Sequence, residues 1–198
     1  MPDVLILGNS SIARRRVIPA LAALDEVGEV HIAGIRSRPS PDPARKVTRV
    51  FDSYEAALGR SPAGYADVST VNSDHHEWVC RALASGRHVV VDKPAGTTRE
   101  QVEDMAARGA RSGLVVAEAT VYPFHPMTEA LRERLAPSGV RVAARFSIPA
   151  RSAGDSRYRP DLGGGAVSDF GPWSRGRRSR RTFPRARSRL SCFPPVPP

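Results

Sequence analysis

Between residues 3 and 119, short apolar runs alternate with stretches of helical spacing, and few folds accommodate that alternation. DVLIL (3–7) stops at Gly8 and reads as a buried strand. Ala13, Val17, Leu21 and Leu24 then recur at helical spacing, with Ser10 or Ser11 as cap and Pro19 placed to kink the helix. EVHIAGI (29–35), VTRVF (47–51), ADVSTV (66–71), HVVVD (88–92) and LVVAEA (114–119) read as further strands. The helices between them start at Ser53, at Asp74, and at Thr97 or Thr98, and the last two stop at Gly86 and Gly113. Alternating strands and helices imply right-handed crossovers, hence an α/β, Rossmann-type, doubly wound parallel sheet.

The text changes further on. A helix is expected from Pro126 to Ala136, and VRVAARFSI (140–148) alternates apolar and polar residues as an antiparallel strand with one wet face does. The expected division is a dinucleotide-binding domain over 1–121, the start of an incomplete α+β domain over 122–173, and a disordered Arg/Pro-rich tail over 174–198. That tail holds eight arginines and no acid. It accounts for most of the net charge of +10 and leaves the body near neutral, which argues against nucleic acid as the partner of the folded part. No apolar stretch approaches the roughly 20 residues of a spanning helix, and no basic segment precedes an apolar one at the N-terminus. Cys80 and Cys192 lie far apart and fit neither a disulfide framework nor a metal motif, so a reducing cytoplasm is the expected setting.

The candidate site begins where the first strand ends. Gly8, Asn9, Ser10, Ser11, Ile12 and Ala13 occupy the place of the G-x-G-x-x-G/A fingerprint. Gly8 would make the tight turn, Ser10 stands for the second glycine, and Ala13 is small enough for close helix–strand packing. The helix N-terminus behind them offers free N–H groups to a pyrophosphate; the alternative is an ordinary strand–turn–helix. After the second strand an NAD site carries an acid for the ribose hydroxyl, but this chain has Arg36, Ser37 and Arg38. A hydroxyl beside a guanidinium suits a 2′-phosphate, so NADP is expected ahead of NAD; a solvated basic loop is the alternative.

Several stretches together resemble the glucose–fructose oxidoreductase, inositol dehydrogenase and rhizopine-catabolism family. They are IARRRVIPAL, IRSR, VNSDHHEWVCRALASGRHVVVDKPAG, VYPFHP and DLGGGAVSDFGPW, and the resemblance spans residues 3–173. It implies an enzyme that moves a hydride between a nicotinamide and a sugar or keto-sugar, with a nucleotide-linked deoxysugar 3-ketoreductase the nearest fit. A non-catalytic nucleotide-binding remnant or redox-responsive binder is the rival. By resemblance Lys93 reaches the substrate oxygen beside the nicotinamide, and its bond to Pro94 is often cis in the family. Asp92 takes the place of the family's glutamate. Asn72 and His75 would line the nicotinamide end of the cleft, the alternative for His75 being a solvated histidine behind a cap at Asp74. Asp169 would orient the substrate or its acid–base partner. Tyr122 and His125 fit a hinge between domains. Trp173 stands where the family has His or Tyr, and indole only donates; Pro123 replaces an arginine. The resemblance also implies homo-oligomers built through a complete second-domain sheet. Because it stops at Trp173, before an arginine-rich text, a shifted reading frame and an inactive chain are expected; a genuine basic tail is the alternative.

Overall fold

The computed structural model describes residues 1–35, 38–135 and 154–165. Arg36, Ser37, Asp169, Trp173, the expected strand at 140–148 and the tail at 174–198 lie outside the described residues.

Six parallel strands form one sheet: β1 (Val4–Leu7), β2 (Val30–Ala33), β3 (Val47–Phe51), β4 (Tyr65–Val68), β5 (His88–Val91) and β6 (Val116–Glu118). Their order is β3-β2-β1-β4-β5-β6, so the direction of winding reverses beside β1. The helices are α1 (Ile18–Ala22), α2 (Tyr54–Arg60), α3 (His75–Ala84), α4 (Arg99–Ser112) and α5 (Pro126–Leu135).

The period of two along β1 sorts the core into two layers. Leu5 and Leu7 point into a cluster with Tyr54, Ala57, Trp78, Val79 and Met105, which brings α2, α3 and α4 onto one face. Ile6 points the other way, to Ala13, Ile18, Val30 and Ile32, under α1. The sheet is therefore doubly wound, as the alternation of elements implied.

Capping follows local chemistry. The Ser53 hydroxyl accepts from the Ala56 N–H at 3.1 Å, opening α2. Thr98, rather than Thr97, caps α4, in a reciprocal box with Gln101. Gly113 ends α4 at φ 66°, a left-handed conformation that costs glycine nothing. Pro19 lies inside the first helix, as expected, and the helix is irregular there. The helical run spans residues 11–22, and it widens into a π-helical turn (Ala13–Val17) just before the proline.

Candidate functional site

The parallel ladder carries on past the strand ends and aligns the next residues along one edge. Gly8 N–H donates to Ala33 O, Ser69 N–H to Leu7 O, Asp92 N–H to Val68 O and Ala119 N–H to Val91 O, all within 2.8–2.9 Å. Gly8, Ser69 and Asp92 thus sit together at the C-terminal edge of the sheet, where open α/β sheets bind ligands.

Gly8 is required by geometry. Its φ is 120°, and a Cβ there would lie 2.3 Å from the Ser69 carbonyl oxygen. The backbone turns so tightly against β4 that only glycine fits. Ser10 then caps the next turn, its hydroxyl accepting the Ala13 N–H at 3.0 Å. Ala13 is fully buried against the sheet, while Ser11 and Ile12 are exposed at the mouth of the turn. The Arg15 guanidinium donates to Ser11 Oγ at 2.5 Å, and Arg14 donates to the Asn9 carbonyl at 2.7 Å.

Beside this turn lies a groove of about 450 Å³ whose lining includes Asn9, Arg14, Arg38, Ser40 and Arg45. Three guanidiniums and a hydroxyl outweigh the one carboxylate of the lining, Asp42, which pairs with Arg45 at 3.5 Å, and the balance suits a phosphorylated ribose. Arg38 pairs with Asp52 at 3.0 Å, but both are about three-quarters exposed, so the pair is weak and open to exchange for a phosphate. Arg14 and Arg45 were not singled out in the sequence. They reach this groove from the helical turn after β1 and the turn before β3, a meeting that only the fold creates.

The other end of the edge is built around β5. Asp92, Lys93 and Pro94 follow it half-buried, and the Lys93–Pro94 peptide is cis. His75, fully buried, grips this loop from below: Nδ1 lies 2.8 Å from Pro94 O and Nε2 3.3 Å from Thr70 O. That overturns a solvated His75, and it places the ring beneath the cleft floor rather than on its surface. His76 turns away and pairs with Asp104. From the opposite side Glu118 accepts the Ala95 N–H at 2.9 Å, a second clamp the sequence did not reveal.

Burial pushes the Asp92 carboxyl above its ordinary range, and the charges of His75, Lys93 and Arg157 pull it back. Asp67, on β4 below, is more extreme: burial raises it to about 6, against a 2.6 Å hydrogen bond from the Ser69 hydroxyl that lowers it. Asp92 adds like charge to it.

Asn72 is engaged by the segment at 154–165. Its amide donates to the Gly163 carbonyl at 2.9 Å. Gly163 has φ 74°, and a Cβ there would meet Asn72 Cβ at 2.7 Å and Thr97 Cγ2 at 2.8 Å. The glycine-rich segment is therefore pressed onto the rim of the site, and it brings Arg157 into the electrostatic field of Asp92. A run of three glycines signals such an approach in sequence, but not its target.

A family model described as an oxidoreductase family with an NAD-binding Rossmann fold matches residues 3–120. The chain belongs to that family. Relatives in the oxidoreductase family include dTDP-3,4-didehydro-2,6-dideoxy-alpha-D-glucose 3-reductases. That of Streptomyces antibioticus is 34% identical over 174 residues, covering 84% of this chain and 52% of the relative. That of Actinomadura kijaniata is 35% identical over 175 residues, with the same coverage. A D-xylose 1-dehydrogenase (NADP(+)) of Haloferax volcanii is 33% identical over 178 residues, covering 84% of this chain and 53% of the relative. Among solved structures, a 3-ketoreductase from Actinomadura kijaniata in complex with NADP and TDP-benzene superposes with a TM-score of 0.75 at 32% identity. It covers 86% of this chain and 54% of that one. The chain thus spans about half the length of these relatives. No helix among the described residues is long and apolar enough to cross a membrane.

Proposed function

We propose that this chain binds NADP along the C-terminal edge of its sheet and supplies the cofactor half of a sugar oxidoreductase. The reaction would be reduction of a keto group on a nucleotide-linked deoxysugar. The observation that carries the reading is the pairing, on one sheet edge, of a glycine turn that no side chain fits with a lysine loop clamped from both sides. Names among the relatives, dTDP-sugar 3-reductases above all, and the NADP and TDP-benzene held by a 32% identical neighbour, support the choice of cofactor and substrate class.

Each residue has a task in this reading. Gly8 lets the backbone close on the pyrophosphate, and the N–H groups of Ser11 and Ile12, in the first helical turn, are left for it. Ser10 fixes that turn. Arg38, with Ser37, takes the 2′-phosphate, and Arg14 and Arg45 add charge to the same groove. Asn72 and the cis Lys93–Pro94 loop flank the nicotinamide end, Asp92 holds Lys93 in an electrostatic pair, and His75 positions the loop by its Pro94 carbonyl. Bound NADPH supplies the hydride. Lys93 gives a proton to the substrate oxygen as that oxygen gains charge, and draws a replacement from water. Asp169 orients the substrate.

Fluorescence titration of the 198-residue chain with NADPH and NADH tests the cofactor assignment. NADPH binds more tightly, and Arg38→Ala weakens NADPH by about tenfold, the size of one charge-assisted bond, while leaving NADH unchanged. Equal affinity for both cofactors, or an unmoved NADPH affinity in Arg38→Ala, overturns the phosphate site.

A further inference from the structure

On α3, one residue past His75, His76 converges with Cys80 and with Asp104 of α4. His76 and Cys80 are one helical turn apart on α3, and Asp104 comes from the neighbouring α4. His76 Nε2 is 2.8 Å and Cys80 Sγ 3.6 Å from the same oxygen, Asp104 Oδ2. The three ligand atoms all lie within 4.8 Å of one another, and all three residues are partly buried. We propose that His76, Cys80 and Asp104 form a zinc-binding site that clips α3 to α4.

The chemistry of the donors selects the ion. One imidazole, one thiolate and one carboxylate form a borderline-soft N/S/O set, which suits Zn²⁺ rather than Mg²⁺ or Ca²⁺. Bond lengths near 2.0–2.3 Å in a tetrahedron put ligand atoms about 3.3–3.8 Å apart, so shifts of well under a rotamer bring these three into place. The side of the cluster open to solvent leaves a fourth position for water. One cation already uses the site: the Arg108 guanidinium donates to Asp104 Oδ2 at 2.8 Å. Arg108 is about half exposed and one turn along α4, so it can swing into solvent as the metal enters. Binding is balanced by release of the Cys80 thiol proton to water. The clip would tie α4 to the first turn of α3, next to His75, which holds the Lys93–Pro94 loop.

The test uses the full chain carrying Cys192→Ser, so that Cys80 is its single thiol. Titration with Co²⁺ gives one equivalent bound, with a thiolate-to-cobalt charge-transfer band and tetrahedral ligand-field absorption, and Zn²⁺ displaces it. Adding Cys80→Ser abolishes the charge-transfer band and weakens Zn²⁺ at least tenfold; His76→Gln weakens Zn²⁺ similarly. Arg108→Ala removes the competitor and tightens Zn²⁺. Absence of the charge-transfer band, or a Zn²⁺ affinity that is unmoved by His76→Gln, overturns the proposal. Should Cys80→Ser fail to fold, Arg108→Ala decides: equal or weaker Zn²⁺ binding sinks the site.

Discussion

Asp67 lies on a strand flanked on both sides by others, with its carboxyl almost wholly buried, and its titration follows from that. Its proton leaves at about 6 in the folded chain, against 3.8 for an ordinary aspartate. Between those values the native state holds a proton that the unfolded chain has lost, so this contribution to stability falls as pH rises and the penalty is complete above about 6. Asp67→Asn keeps the acceptor for Ser69 and removes the charge. It is expected to stabilise the chain by on the order of 2 kcal/mol at neutral pH and to make little difference at about pH 4, as urea unfolding at both pH values would show. Lys93 belongs to this scale too. Lys93→Met is expected to cut turnover of a keto-sugar substrate by about 10²–10⁴-fold with NADPH affinity held within about twofold. Turnover near that of the unaltered protein would move the proton donor elsewhere. Gly8 and Ala13 were legible in the sequence, because each occupies a fixed offset from the first strand's end; Lys93 was reached by resemblance, and its role stays a proposal. His75 was legible only as a pair of alternatives, since exposure of a helix-start histidine depends on what folds over it. Glu118 and Arg45 were not legible: Glu118 acts on Ala95, 23 residues away, and Arg45 meets Arg14 of the first helical turn only in the folded chain.

At the scale of elements, the strands were readable from apolar runs and the helix starts from their capping residues, with ends off by a few positions. EVHIAGI shortens to Val30–Ala33 because Gly34 and Ile35 already belong to the turn at the site's edge, where Ile35 is exposed. The turn after β1 and the start of α4 lead to different expectations. Gly8→Ala puts a methyl against the Ser69 carbonyl and forces a positive φ, so it should lower stability by at least about 2 kcal/mol and weaken NADPH together with it. Thr98→Ala removes only the capping box of α4. It should cost about 1 kcal/mol in denaturant unfolding and leave cofactor affinity alone. If the two variants lost NADPH affinity equally, the turn at Gly8 would have no special part in binding. Pro19 shows how far local reading goes. Its ring does lie inside a helix, but the π turn that takes up the disturbance before it was not foreseen.

For the whole molecule, parallel winding was implied by the alternation alone, and the six-stranded order with its reversal beside β1 agrees with it. The second domain was less legible, because its identity rested on resemblance rather than on a closed pattern of elements. Of it, the structure describes α5 and the glycine-rich segment at 154–165, which packs on Asn72 and Thr97. The division at 121–122 and the roles of Asp169 and Ser37 stay proposals. The basic balance of the chain resides in residues 174–198 and gives no reason to assign nucleic acid to the folded part. The central claim is that this fold passes a hydride from NADPH to a sugar carbonyl. The direct measurement is transfer of deuterium from NADPH labelled at nicotinamide C4 to a dTDP-linked keto-deoxysugar, read by mass spectrometry of the product. The account predicts one deuterium on the new carbinol carbon, with little product from Lys93→Met. A reduced sugar carrying no deuterium, formed while the protein is saturated with NADPH, would contradict it.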